Sequence, residues 1–278
     1  MKGTWEDPPE SSGVAFATPS VTPVVKLILS ANIAIFLLQW IVLEGFFPRA
    51  FEFSSDAFAL NPRQWVEHFP LVPVWQLLSY GFLHGGPEHL LSNMLFLFFL
   101  GTMLEGELGP RRFLVFYLAA VAFAGFCQLG LGLGLGQQAP IVGASGGLLA
   151  VVCAMATMRP MTRLIFVIVP VTLRTVAILY VALDLFFLTM ELKGSADSGV
   201  ARFAHLSGAL FGYVAVKRGW VWRDPVQAVD AWRERKAEEQ EATDEQRLDE
   251  LLVKIKREGI HALSPRERDF LKRVSGRH

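Results

Sequence analysis

Long apolar runs separated by short polar or aromatic stretches dominate the chain up to about residue 220. A bilayer core about 30 Å thick takes roughly 20 apolar residues to span as a helix. On that measure the runs predict six spans, at about Val24–Phe46, Glu88–Glu105, Arg112–Leu135, Ser145–Met158, Val171–Met190 and Arg202–Lys217. The pattern predicts an all-α polytopic membrane protein with three parts: a polar segment over 1–21, a six-helix membrane domain over 22–220, and a soluble helical hairpin over 226–278. The stretch from Pro48 to Gln76 is an aromatic-rich loop, with Phe51, Phe53, Phe58, Trp65, Phe69 and Trp75 suited to a membrane interface.

After Trp222 the pattern changes. Residues 226–278 hold 24 of the 52 charged residues, split evenly between 12 basic and 12 acidic. Leu248, Leu251, Leu252 and Ile255 form a stripe at helical spacing, and Gly259 is a natural stop. Ser264-Pro265-Arg266-Glu267 reads as an N-cap, a Pro at the first helical position and a Glu closing a capping box. The stripe is expected to pack against Phe270 and Leu271; a cytoplasmic partner of the tail is the alternative.

Composition agrees with membrane spans. The chain is 52% hydrophobic, with 22 Phe and 7 Trp, and its mean hydropathy of +0.38 is rare among soluble domains. Membrane lipid is therefore an expected partner. The formal net charge is zero, which alone neither favours nor opposes nucleic acid, and no nucleic-acid partner is expected. Cys127 and Cys153 lie in apolar runs and read as buried free thiols. The first 21 residues lack the basic segment and short apolar core of a cleavable signal, so the first run reads as a retained anchor. Basic residues set the orientation: Arg111, Arg112, Arg159, Arg163, Arg174, Lys217 and Arg218 fall in loops on one side, against Arg49, Arg63, Lys193 and Arg202 on the other. The bias predicts both termini in the cytoplasm, and the expected host is a bacterial inner membrane.

Polar residues within spans mark function by default. The second span opens with His89 and Asn93 at i and i+4, on one helix face. The fourth opens with Gly143-Ala144-Ser145-Gly146-Gly147, and the sixth carries Ala204-His205 followed by Gly208 and Gly212. These three spans run in the same direction, so all three clusters fall at similar depth. The fourth span is short, about 21 Å at 1.5 Å per residue, roughly 9 Å less than the hydrocarbon thickness. Ser145 should then lie at the floor of a water-filled cavity, after non-helical, Gly-rich backbone over Gly130–Gly147. A serine hydroxyl attacks a carbonyl once a base removes its proton, and His205 is the one histidine in the later spans. The Ser145 N–H at a helix N-terminus, with Asn93 and His89, forms a candidate oxyanion hole. Glu105 and Asp184 read as structural acceptors, and His84 as a loop residue without a role. No clustered ligand set occurs within the spans, so neither metal nor cofactor is expected.

The residues resemble the rhomboid family of intramembrane serine proteases. His89-Leu90-Leu91-Ser92-Asn93, Gly143-Ala144-Ser145-Gly146 and Ala204-His205-Leu206-Ser207-Gly208 through Gly212 are similar to three of its motifs, in the family's order. The resemblance implies a six-helix rhomboid-like core with a small cytoplasmic helical tail. It also implies a Ser145–His205 dyad without an acidic third member, and transmembrane protein substrates cut in or near their spans at small residues. Two positions depart from the pattern: Trp75-Gln76 stands where many members carry Trp-Arg, and Leu149 where some carry a Tyr that stacks on the base. An inactive, client-binding relative is the alternative, although such proteins usually lose the serine or the histidine. A transporter would need polar groups along a path across the membrane, and here they cluster at one depth.

Overall fold

The computed structural model describes residues 20–135, 139–166, 169–193 and 201–275, which fall into two units, one up to Arg223 and one from Asp224. All but the last two residues of the expected polar segment 1–21 lie outside the described residues.

In the first unit α1 (Pro23–Phe46) leads into short helices α2 (Pro48–Phe58), α3 (Pro62–Glu67) and α4 (Gln76–Ser79). Then come α5 (Pro87–Leu108), α6 (Pro110–Leu135) and α7 (Ser145–Met158). Strands β1 (Arg163–Phe166) and β2 (Val169–Thr172) precede α8 (Leu173–Leu192) and α9 (Arg202–Lys217). Proline begins α1, α2, α3 and α5, where its missing N–H costs nothing and its fixed φ suits the first turn. Among the described residues α1, α5, α6 and α8 are long and apolar enough to cross a membrane. The expected spans at Ser145–Met158 and Arg202–Lys217 are helices too, but shorter, at 14 and 16 residues.

Two expectations need correction. The unit is not all-α: β1 and β2 pair antiparallel, Arg163 opposite Thr172. β-branched and aromatic residues favour the strand conformation here, and Pro160 and Pro170 bar a helix. The Gly-rich stretch is also not irregular from Gly130, because α6 runs on to Leu135. In apolar surroundings the helix satisfies these backbone groups, which outweighs the low helix propensity of glycine. Residues 136–138 of that stretch lie outside the described residues.

Helix α7 is the centre of the unit. Every residue from Gly146 to Met155 is buried, as expected of a helix that is apolar all round. Helix α9 lies against it at backbone contact. A Cβ on Gly208 would stand 2.0 Å from the Gly146 carbonyl oxygen, and one on Gly212 would stand 2.1 Å from that of Ala150. Small residues thus remove the side-chain layer that would hold the two helices apart.

Helix α1 is fastened differently. The buried Glu105 carboxylate near the end of α5 accepts from the N–H groups of Val24 (3.0 Å) and Val25 (2.8 Å), and from the Thr22 hydroxyl. A helix N-terminus presents unpaired donors and the positive end of the helix dipole, so an anion is the fitting partner. The expectation of a structural acceptor holds.

The second unit contains α10 (Pro225–Glu258) and α11 (Pro265–Ser275). The first helix is 34 residues long, longer than a small hairpin suggests. Gly259 follows it at φ +81°. The expected capping box is present: Ser264 N–H donates to Glu267 Oε2 at 2.6 Å, and Glu267 N–H donates to Ser264 Oγ at 3.4 Å. These bonds, with Lys254 beside it, hold the Glu267 carboxyl down to about 2. Leu251 and Phe270 are buried together with Leu263, and Leu248, Ile255 and Leu271 pack around them. Leu252 is exposed, so the stripe is narrower than expected.

The contact between α7 and α9 yields a prediction. Gly212→Ala should destabilise the fold by about 1–3 kcal/mol or more, the usual cost of overpacking, because rigid backbone blocks the new Cβ. The thermal unfolding midpoint in detergent should fall well below that of the unaltered protein. An unchanged midpoint would mean that the helices can separate cheaply.

Candidate active site

The first turns of α5, α7 and α9 converge. His89 and Asn93 on α5, Ser145 on α7 and His205 on α9 line one cavity of about 270 Å³, with Phe96, Leu148, Leu149 and Tyr180 on its apolar walls. All four polar residues expected at the site are therefore together. A second cavity of about 540 Å³ lies at the other end of α7, beside Met155 and Arg159. An ion pair between Arg159 and Glu107 (2.9 Å) borders it, but no paired nucleophile and base line it.

Ser145 Oγ and His205 Nε2 are 2.6 Å apart. At that distance an imidazole can accept the hydroxyl proton, given a bare Nε2. The other ring nitrogen decides whether Nε2 is bare. His205 Nδ1 lies 2.9 Å from Asp184 Oδ2. This corrects the sequence reading: a buried carboxylate from α8 stands third in line, where only a dyad and a structural acceptor were expected. Asp184 is itself held, since Arg202 Nη1 donates to its Oδ1 at 3.2 Å and Arg202 Nε donates to Glu191 Oε1 at 2.8 Å. Arg202, counted as a loop charge in the sequence, is therefore largely buried between two carboxylates. Its guanidinium also stacks over Phe187, 4.6 Å from the ring centre. Leu149, in the position where some relatives have a stacking tyrosine, is buried and offers the base no polar contact.

The opposite wall supplies donors. Asn93 Nδ2 gives one hydrogen to the His89 carbonyl oxygen, 3.0 Å away, and a primary amide carries a second. His89 Nδ1 accepts from the Gly85 N–H at 3.4 Å, which assigns its own proton to Nε2. Gly143 has φ +131° and no room for a side chain, because a Cβ there would lie 2.9 Å from His89 Nε2. Glycine is thus required where the backbone passes between His89 and Ser145.

His84, read as a loop residue without a role, packs edge-on against His89 with ring centres 5.1 Å apart. Both its ring nitrogens are buried. Burial, and secondarily His89, pushes it down to about 4, so it is neutral at physiological pH. No spacing signal links His84 to His89; the Gly85-Gly86 turn between them brings the rings together.

The loop between α1 and α5 fixes the segment that carries Ser145. Leu60 and Ile141 exchange backbone hydrogen bonds at 3.0 and 2.9 Å, and Gly143 N–H donates to the Tyr80 carbonyl oxygen at 2.9 Å. Gln76 organises that loop. Fully buried, it accepts at Oε1 from the Asn61 N–H and Trp65 Nε1, and its Nε2 donates to Gln64 Oε1 at 2.8 Å. Gln76, at the position where the resemblance implies an Arg, thus serves as a multivalent anchor without burying a charge.

The family model for the Rhomboid domain matches residues 73–220, more than half of the chain. The chain belongs to the rhomboid family. This rhomboid is 29% identical over 212 residues to the presenilin-associated rhomboid-like protein, mitochondrial, of Rattus norvegicus; the match covers 74% of this chain and 52% of that protein. It is 34% identical over 154 residues to RHOMBOID-like protein 4 of Arabidopsis thaliana, covering 53% and 36% respectively. With Rhomboid-related protein 3 of Homo sapiens it shares 38% identity over 81 residues, covering 29% and 19%. The rhomboid chain thus spans about half the length of the mitochondrial relatives it matches.

The distance between Ser145 and His205 predicts a reactive hydroxyl. A fluorophosphonate probe should label Ser145 alone, and the label should vanish in both Ser145→Ala and His205→Ala. Peptide mapping by mass spectrometry checks this; an adduct on another serine would place the nucleophile elsewhere.

Proposed function

We propose that this rhomboid is an intramembrane serine endopeptidase that hydrolyses peptide bonds of membrane-anchored proteins in or near their transmembrane segments. The observation that carries the reading is the 2.6 Å hydrogen bond between Ser145 Oγ and His205 Nε2 inside a cavity at the ends of three helices. In this reading His205 takes the Ser145 proton as Oγ bonds to the carbonyl carbon. The developing oxyanion receives hydrogen bonds from the Ser145 N–H, Asn93 Nδ2 and His89 Nε2. His205 then passes the proton to the leaving nitrogen, and water hydrolyses the acyl-enzyme by the same steps in reverse roles. A client-binding relative without activity has no use for a bonded nucleophile and base, which argues against that alternative.

The reading extends to topology. The six helices cross the bilayer, the two short ones within a locally thinned protein, and the basic-residue bias puts both termini and the 226–278 tail in the cytoplasm or its equivalent. The relatives named as mitochondrial give no support to a bacterial inner membrane.

Two outcomes are expected with a purified transmembrane substrate in detergent. Ser145→Ala and His205→Ala should each abolish cleavage while leaving the melting midpoint close to that of the unaltered protein, since members of such a unit fail together. Turnover by either variant would sink the assignment. Asn93→Ala should lower kcat by up to roughly 100-fold, with less change in KM, because an oxyanion donor acts mainly in the transition state. A change in KM alone would make Asn93 a substrate-binding or packing residue.

A further inference from the structure

The buried chain of side chains behind His205 is more elaborate than a dyad needs. It runs from Glu191 through Arg202 and Asp184 to His205, linking α8 to α9. Charged groups are costly at this depth, and each remains only where another group compensates it. Packing alone does not call for a carboxylate aimed at the back of an imidazole. Building on the protease reading, we propose that Asp184 is a positioning residue. Held on one oxygen by Arg202, it keeps His205 in the tautomer with its proton on Nδ1, so that Nε2 is bare toward Ser145.

The geometry makes this specific. Asp184 uses its two oxygens separately, Oδ1 for Arg202 Nη1 and Oδ2 for His205 Nδ1. An ionised carboxylate only accepts, so the Nδ1 that faces it must donate. Arg202 also only donates. In Asp184→Asn, therefore, the amide oxygen must turn toward Arg202, and the amide NH₂ is left facing His205. Nδ1 then has to accept, the ring proton moves to Nε2, and that proton points at the Ser145 hydroxyl it should be receiving from. The near-isosteric substitution is thus the harmful one. Asp184→Ala leaves both tautomers open and should be milder. A residue that merely filled space would give the opposite order, because alanine leaves the larger void.

The test measures kcat and KM for the full chain in detergent on one transmembrane substrate, per mole of folded protein. The corresponding substitution in a soluble triad costs roughly 10⁴-fold in kcat. Here Asp184→Asn should lose at least about tenfold in kcat with KM nearly unchanged, and Asp184→Ala should lose less. Arg202→Lys, which keeps the charge but loses the planar fork, should lower kcat in the same way and serves if the Asp184 variants fold poorly. Histidine ¹⁵N NMR, assigned by difference against His205→Gln, should show the proton on Nδ1 in the unaltered protein and on Nε2 in Asp184→Asn. That readout needs no substrate. An unaltered protein that neither cleaves nor labels would overturn the protease reading, while the tautomer comparison still decides the role of Asp184. Equal kcat in all the variants, a greater loss in Asp184→Ala than in Asp184→Asn, or an unchanged tautomer would each overturn the proposal.

Discussion

Everything at the site depends on one contact, the backbone-to-backbone approach of α7 and α9. Side chains normally keep helix axes 8–10 Å apart. Here Gly208 and Gly212 put the α9 backbone directly on the carbonyls of Gly146 and Ala150. A short polar side chain such as serine reaches little beyond its own backbone, so it can meet a neighbouring imidazole only if the helices already touch. Ser145 and His205, one turn or less from the starts of their helices, are brought to hydrogen-bond distance by that approach.

The polar ends of the site are held from outside the pair. The exchange between Leu60 and Ile141 and the bond from Gly143 to Tyr80 fix the strand-like segment that enters α7. Gln128 of α6 accepts from the Ala204 N–H at 2.9 Å, satisfying one of the donors at the start of α9. Tyr80, buried, donates to the Val121 carbonyl oxygen at 2.8 Å and so ties the same loop to α6. The segment entering α7 and the first turn of α9 are thus each pinned by a different neighbour, which limits how far Ser145 and His205 can drift apart.

Much of this was legible in the sequence for a simple reason. A span announces itself by length and apolarity, and a histidine or asparagine inside one has few innocent explanations. The six helices, the Ser145–His205 pairing, the α9 glycine face and the Ser264 capping box all follow from such local rules. What escaped depends on contacts far apart in the chain. Asp184 was visible as a charge inside an apolar span, but its partner lies 21 residues away on another helix. Arg202 looked like a loop charge because orientation rules count basic residues without asking what they touch. His84 became relevant only through the turn that folds it over His89. The β1–β2 hairpin was hidden because a short run rich in β-branched residues between two helical spans has no period of its own.

The carboxylate of Glu105 has a consequence for the order in which the chain is made. It serves donors at Val24 and Val25, about 80 residues earlier. A nascent chain emerges from its N-terminus, so the first span is complete while the anion that will cap it has not yet been synthesised. Until α5 is finished, the exposed N–H groups at the start of α1 have only water or lipid headgroups to bond. The cap on α1 can therefore form only after the end of α5 has been made, about 80 residues later in the chain.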